Sequence, residues 1–519
     1  MNHRSKKIVV SESSDSSDHS EVVNDESVDS FDMIAMTDEI ITPGLVLNGD
    51  YVLLKKIGYG NNAGVWMTYR ISTKTYYAIK IQDFQCYDDG CREIKILKCI
   101  SEYIKEQKNT DNIHCVKMLD CFQYSEEKDD GIVFVCSVYE LYAGSINTII
   151  TTGIYKYGLP IDVVKRITKQ LLQSLVVLHN ELKVIHTDIK PENILMKGVP
   201  QGHVKIIEMF EKKMFQQKYD VIVKKHAANK KLFIEKRDTL AVACVAGLDE
   251  IDDPFLCRPA TLSDDESESG SIIEGEDDDF SEDGSTEESN EETEESVEPD
   301  ALNKRRQSID DLVEHIEYKE IVSIDDLYEF EAVLNNREKT TDTQSIINKK
   351  YINKCEIALT DFGNSYFYDR RTKNEIQDRR YRAPEVVLDY NYGYPCDMWS
   401  VGCVVYELLT GFPLFLPYDE PLTKDIQHLF LMEKVLGPMP LSMKQKSKRS
   451  KFLFDQKRKY HIKNVGKIET IPLKNRLVNQ FLFSEKDATE CADFILSVLK
   501  YNPVSRATAK TMLQHKWLQ

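Results

Sequence analysis

Long apolar runs are missing from this chain. No stretch of 18 apolar residues occurs in its 519 residues, which excludes a membrane-spanning helix. The basic start "MNHRSKKIVV" is followed by "SESSDSSDHS", not by an apolar core, so it does not read as a secretory signal. Twelve cysteines are scattered with no C-x-x-C spacing. That pattern argues against a zinc site or disulfide framework and for reduced thiols in a soluble cytoplasmic or nuclear protein. No internal repeat is visible. Lys and Arg are wholly absent from residues 263–300, where 19 acidic residues stand.

The formal charge of −19 is therefore unevenly placed. The acidic run alone equals it, and the first 40 residues add 10 acids against 3 bases. What remains is net positive by about seven, a mildly basic globular part with acidic appendages. At this length two or more folded units are expected.

Texture divides the chain. Residues 1–44 are Ser- and acid-rich, too poor in apolar groups to offset chain entropy, and read as a disordered tail. Residues 45–142 read as a strand-rich lobe, with "YVLLKKIGYG", "VWMTYRIS", "YYAIKIQ" and "GIVFVCSVYEL" as strands and "CREIKILKCISEYIK" as one helix. Residues 143–199 and 351–519 read as helical. Between them, 200–350 is a charged spacer with the acidic run and an amphipathic piece at "IDDLVEHIEYKEI".

The chemistry follows in chain order. "IGYGNNAGV" (Ile57, Gly58, Tyr59, Gly60, Asn61, Asn62, Ala63, Gly64, Val65) is a glycine-rich turn between strands, where backbone N–H groups can lie over phosphates. Alone it could equally be a bare structural turn. It gains meaning from Lys80 at the end of "YYAIK", able to neutralise phosphates, and from Glu93 on the next helix, the carboxylate to hold that lysine. In "VIHTDIKPENILM", Asp188 can accept a proton from an attacking hydroxyl, Lys190 can stabilise a transferring phosphoryl group, and Asn193 offers a hard oxygen to Mg²⁺. A second metal carboxylate is Asp361 in "ALTDFGNS", 168 residues beyond Asn193. Both are expected on one short hairpin, "NILMKG" against "CEIALT", with about 150 residues inserted at its turn. Loop-closure cost grows only logarithmically, so such an excursion is tolerable, and residues 205–345 should be replaceable by a short linker.

With these residues in hand, the chain resembles a eukaryotic protein kinase over about 320 residues. The glycine loop, Ala-Ile-Lys, helix glutamate, catalytic loop and Asp-Phe-Gly are followed by "RRYRAPEVVL", "CDMWSVGCVVYELLTG" and "SRATAKTMLQHKWL" in kinase order. The resemblance implies an α+β bilobal kinase fold, ATP and Mg²⁺ as cofactors, Asp188, Lys190, Lys80 and Glu93 as the catalytic set, and Asn193 and Asp361 as metal ligands. It also implies that Glu385 pairs with Arg506 and that Asp397 braces the catalytic loop. A pseudokinase scaffold would lack Lys80, Asp188, Asn193 or Asp361; all four are present.

"YRAPE" and the segment after Phe415 resemble the CMGC group. His-Thr-Asp in the catalytic loop is shared by the SR-protein kinases (SRPK) and the CLK/LAMMER kinases. "YGLPIDVVKRITKQLLQSL", "DFGNS", "EIQDRRYR" and the long charged insert resemble SRPK; "QHLFLMEKVLGPMP" is similar to the LAMMER signature. The implied activity is phosphorylation of serine in Arg/Ser-rich, splicing-factor-type proteins by a monomer without membrane or direct nucleic-acid partners. A CLK-like dual-specificity kinase, or a scaffold built on the acidic insert, are the alternatives. Two departures stand out. The third loop glycine is Ala63, with Gly64 displaced by one. Where the SRPK family carries docking acids after Phe415, Gln427 and Lys434 stand, with Asp419, Glu420, Asp425 and Glu433 nearby. The basic run 444–463 could serve nuclear import or phosphate binding, or be a solvated loop.

Overall fold

A computed structural model describes residues 39–60, 63–107, 113–125, 132–151, 155–251, 349–370, 375–417 and 422–519. The N-terminal lobe is an antiparallel sheet in the order β1-β2-β3-β4-β6-β5. These strands are β1 Val46–Leu47, β2 Tyr51–Gly60, β3 Ala63–Arg70, β4 Thr75–Gln82, β5 Asp120–Tyr124 and β6 Phe134–Tyr139. Helix α1, Tyr87–Glu106, lies against it and buries Glu93, Ile94, Leu97 and Ile100 at helical spacing. It begins earlier than the stretch read from "CREIK".

Alternation on β2 sends residues to opposite faces. Tyr51 and Leu53 pack with Trp66, Ile79 and Phe122 on one side. Val52 and Leu54 pack with Met67 and Tyr69 on the other. That second face needs a cover, and the spacer supplies it. After β7 (Tyr142–Ser145), α2 (Ile146–Thr151), α3 (Ile161–Val176), β8 (Val184–Ile185) and β9 (Ile194–Lys197) come three helices: α4 Gln201–Lys212, α5 Phe215–His226 and α6 Lys230–Val245. Ile206, Phe210, Phe215, Ala241, Cys244 and Val245 join the cluster on the β2–β3 face. The Tyr69 ring lies 5.3 Å from Phe210 and 5.8 Å from Phe215. On β2, Lys55 Nζ donates to three backbone oxygens just beyond α6, those of Leu248 (3.1 Å), Asp249 (2.9 Å) and Ile251 (2.6 Å).

The expectation that 205–345 is dispensable is therefore corrected: its first part is the wall of the N-terminal lobe. The acidic run and "IDDLVEHIEYKEI" lie outside the described residues, as does the tail through residue 38. Ile41, within the expected tail, is buried against the sheet.

The excursion closes as the sequence implies. β9 pairs antiparallel with β10, Ile357–Leu359, in the register Ile194↔Leu359 and Met196↔Ile357. Beyond β11 (Tyr366–Phe367), helix α7 (Pro384–Val387) leads to α8 (Pro395–Thr410), which is buried all round and forms the axis of the helical lobe. Helices α9 (Lys424–Leu436), α10 (Leu441–Lys446), α11 (Ser450–Leu453), α12 (Leu473–Asn479), α13 (Glu485–Val498) and α14 (Ala509–Met512) pack around it. Arg506 grips Glu385 with two bonds of 2.6 Å, both side chains essentially inaccessible. Opening one half would strand a buried charge, at about 3–5 kcal/mol. Among the described residues no helix is long and apolar enough to cross a membrane.

Candidate active site

Between the two lobes, Lys80 is the meeting point. It sits on β4, cross-strand from Val65, and its Nζ lies 2.9 Å from both carboxylate oxygens of Glu93 and 2.9 Å from Asp361 Oδ1. Strand β4, helix α1 and the residues after β10 thus converge on one ammonium. Burial works against the Lys80 charge, but the two carboxylates outweigh it and raise its pKa. The Lys80 ammonium holds the Asp361 carboxyl down to about 2 against the opposing effect of burial. For Glu93, burial pushes the carboxyl up while Lys80 pulls it down. The Phe362 amide also donates to Glu93 Oε1 at 3.2 Å, tying α1 to the segment that carries Asp361.

Asp188 lies across from this trio on the loop between β8 and β9. Its Oδ2 takes bonds from Lys190 Nζ (3.0 Å) and Asn193 Nδ2 (3.0 Å). Asn193 Nδ2 also donates to the Asp188 backbone oxygen at 2.8 Å, so its amide nitrogen is committed inward and its Oδ1 is left to accept or coordinate. Burial disfavours the Lys190 charge, yet Asp188 and Asp378 keep its pKa raised. A carboxylate beside a fixed cation can receive a hydroxyl proton, and the cation can steady a transferring anionic group.

A common support lies under the loop. Asp397, fully buried, accepts from the backbone N–H of His186 and Thr187 and from His179 Nε2, each at 2.8 Å. Sequence reading missed how the next residues complete this brace. Ser365 Oγ donates to the His186 oxygen (2.9 Å), and Thr187 Oγ1 donates to the Asn364 oxygen (2.6 Å). The signal was present in "DFGNS", but only tertiary contact shows what its last two residues hold.

The glycine-rich turn places Gly60 opposite Ala63, with half-buried Ile57 and Val65 below and Tyr59 43% exposed at the tip. Asn61 and Asn62 lie outside the described residues. A Cβ at Gly64 would meet only the movable end of Lys56, Cε at 2.9 Å, so no fixed neighbour demands glycine there, and Ala63 opposite Gly60 keeps the turn narrow. For a nucleotide and a hard cation the fit is good. Asn193 Oδ1 and the Asp361 carboxylate, 38% exposed, are hard oxygens of the kind that would hold Mg²⁺, and Lys80 would supply counter-charge to phosphates.

The acids near the expected docking surface are differently disposed. Asp425 on α9 is bound by Arg379 and, at 2.5 Å, by Arg449. Glu433 is bound by Lys444 at 2.6 Å. Asp419 and Glu420 lie outside the described residues. Neither described acid presents an unneutralised carboxylate.

The sequence matches the family described as "Protein kinase domain" over residues 51–222 and 346–518. It is 46% identical to a protein of Acanthamoeba polyphaga mimivirus named as a serine/threonine-protein kinase, over 93% of this chain and 89% of that one. It is 26% identical to SRSF protein kinase 3 of Mus musculus, covering 92% of this chain and 87% of the other. A crystal structure of a kinase domain superposes with a TM-score of 0.54 at 21% identity, covering 93% of this chain and 100% of that chain, a likeness of fold.

Proposed function

Since the chain belongs to the protein kinase family, as a serine/threonine kinase of the SRPK-like kind, we propose that it transfers the ATP γ-phosphate to serine in Arg/Ser-rich proteins. The observation that carries the reading is the Lys80 ammonium held 2.9 Å from both Glu93 and Asp361, facing a loop where Asp188, Lys190 and Asn193 are bonded together.

In this reading Asp188 orients the serine hydroxyl and takes its proton. Lys190 offsets charge on the transferring group, and Lys80, positioned by Glu93, holds the nonreacting phosphates. The backbone of Gly58 to Gly60 and of Ala63 to Val65 would cover them. Asn193 and Asp361 would hold Mg²⁺, which supplies charge neutralisation between the phosphates. Because catalysis here is positioning plus electrostatics, the brace from Asp397 through Thr187 and Ser365 matters as much as the reacting groups.

The Arg/Ser preference rests on the SRPK-like relatives and not on α9, whose acids Asp425 and Glu433 are already neutralised. The acidic run 263–300 is the element able to attract arginine-rich chains. The test is a peptide panel comparing Arg-Ser repeats, Ser-Pro peptides and tyrosine peptides at matched concentrations. Preferential phosphorylation of Arg-Ser repeats is expected. Preference for tyrosine or Ser-Pro peptides would overturn the substrate class while leaving the kinase assignment intact.

A further inference from the structure

The hairpin of α5 and α6 carries an unusual surface. Its inner side, with Phe215, Ala241, Cys244 and Val245, covers the β2–β3 sheet face. Its outer side is lysine. Lys218, Lys224, Lys225, Lys230, Lys231 and Lys236 on the hairpin, with Lys212 and Lys213 at the end of α4 beside its base, are all exposed, while residues 212–236 hold only two acids, Asp220 and Glu235. Four of these lysines crowd the tip, two on each side of the turn that Asn229 caps through its bond to the Leu232 amide. Only Lys236 has an acidic neighbour among the described residues, Glu235 at 4.0 Å. Val221 and Val242 are 46% and 57% exposed on the same hairpin, apolar area beside the charge.

We propose that this hairpin is the docking surface for the chain's own acidic run, residues 263–300. Three observations favour that occupant. Charge is complementary at high density, with 19 acids and no base in 38 residues facing eight lysines in 25. The run is also rooted at the hairpin's base. Ile251 is held to β2 by Lys55, and the 12 residues to Ser263 reach at most about 40 Å when fully extended. Helix α6, with 16 residues, is about 24 Å long, so the lysine tip falls inside that radius. Confinement of this kind gives a local concentration in the millimolar range, enough for a weak polyelectrolyte contact to be populated without a tight site. The rival basic surface at 444–463 is less available, because Lys444, Lys448 and Arg449 already serve Glu433, Asp389 and Asp425.

Docked there, the acidic run relieves repulsion among the tip lysines and covers the exposed valines. Its other faces stay open to a cationic chain, so an arginine-rich segment competes with the lysines for the same carboxylates.

Zero-length carbodiimide cross-linking of the full chain, followed by peptide mass spectrometry, tests this directly. Links from carboxylates of 263–300 should fall mainly on the eight lysines of residues 212–236 and within single chains when isotope-labelled and unlabelled copies are mixed. Raising ionic strength to about 1 M, where the screening length is about 3 Å, should remove most of them. A variant with Lys224→Gln, Lys225→Gln, Lys230→Gln and Lys231→Gln should lose links several-fold while phosphorylating a short serine peptide as before. Links concentrated on Lys446, Lys451, Lys457 or Lys459, links spread over all exposed lysines, links between copies, or links that survive salt would each overturn the proposal. If the variant fails to fold, the link map and salt series of the unaltered chain still decide.

Discussion

The hydroxyl of Thr187 donates to the backbone oxygen of Asn364 across 2.6 Å, joining the catalytic loop to the segment just after Asp361. Thr187 itself sits at φ +68, costly for a β-branched residue, and is held there by Asp397 accepting its amide at 2.8 Å. Kinases with arginine at this place order the segment through a phosphate; threonine cannot make that contact. Here the ordering is built in. Arg380 is bonded to Glu192 (3.0 Å) and Asp378 (3.2 Å), Arg382 to Glu375 (2.9 Å), and Arg379 to Asp425. Unmodified protein, made in bacteria with a co-expressed phosphatase, should therefore be active toward serine peptides. Inertness until Thr372 or Tyr381 is phosphorylated would refute this. Tyr381 is an unpromising acceptor, buried with its hydroxyl donating to Glu407 at 2.6 Å; Thr372 lies outside the described residues.

Lys80→Met, Asp188→Ala and Asp361→Ala should each cut turnover by about 10²–10³-fold or more; the two aspartate variants should leave the thermal transition nearly unchanged, whereas Lys80→Met strands the buried Glu93 carboxylate and should lower it. The residues position charge and contribute little packing, so the loss belongs to the transition state. Asp361→Ala still leaves Glu93 to pair Lys80, so the fold keeps one of its two contacts there. Near-normal turnover in folded Asp188→Ala would sink the proposed mechanism.

Two deletions separate the parts of the spacer. Replacing residues 252–348 with a short linker should preserve folding and peptide phosphorylation, because Ile194–Lys197 and Ile357–Leu359 already pair. Extending the deletion back to residue 201 should unfold the N-terminal lobe, since it bares Val52, Leu54, Met67 and Tyr69. Phe210→Ala is the point version, with an expected loss of about 3–5 kcal/mol in chemical denaturation. A fully active chain without residues 201–251 would show that the helical wall is ornamental.

The residues of the site were legible because their chemistry fixes their spacing. Asp188, Lys190 and Asn193 must share one loop, and Lys80 must lie a strand away from the glycine turn. The folded half of the spacer was harder to see. Ile206 and Phe210 stand four apart on α4, a helical signal, but it is short and surrounded by lysine and glutamate. The stronger clue lay elsewhere, in β2 carrying Tyr51, Val52, Leu53 and Leu54 in succession, apolar on both faces and so requiring two covers. The fate of Asp425 and Glu433 could not be read from α9 alone. Their partners Arg379, Arg449 and Lys444 come from elements on either side of α9, and only folding brings those cations onto them.

Burial of histidine gives the last expectation. His203 on α4 is 3% exposed, neither ring nitrogen has a hydrogen-bond partner, and burial pushes its pKa down to about 4. His428 on α9 is fully buried and pushed down to about 3, by burial first and then by Arg379 and Arg382. Both are neutral in the folded chain, while in the unfolded chain they titrate near their ordinary value of about 6.5. Between about pH 6.5 and 4 the unfolded state binds more protons, so stability is full above that range and falls as pH drops through it. For His203 the difference corresponds to about 3 kcal/mol once pH reaches 4. His203→Leu should flatten this acid dependence and leave the chain more stable than the parent at pH 4.5, measured by urea unfolding at several pH values. An unchanged slope of stability against pH in that variant would mean that the ring reaches water or a partner and is not the source of acid sensitivity in the helical wall.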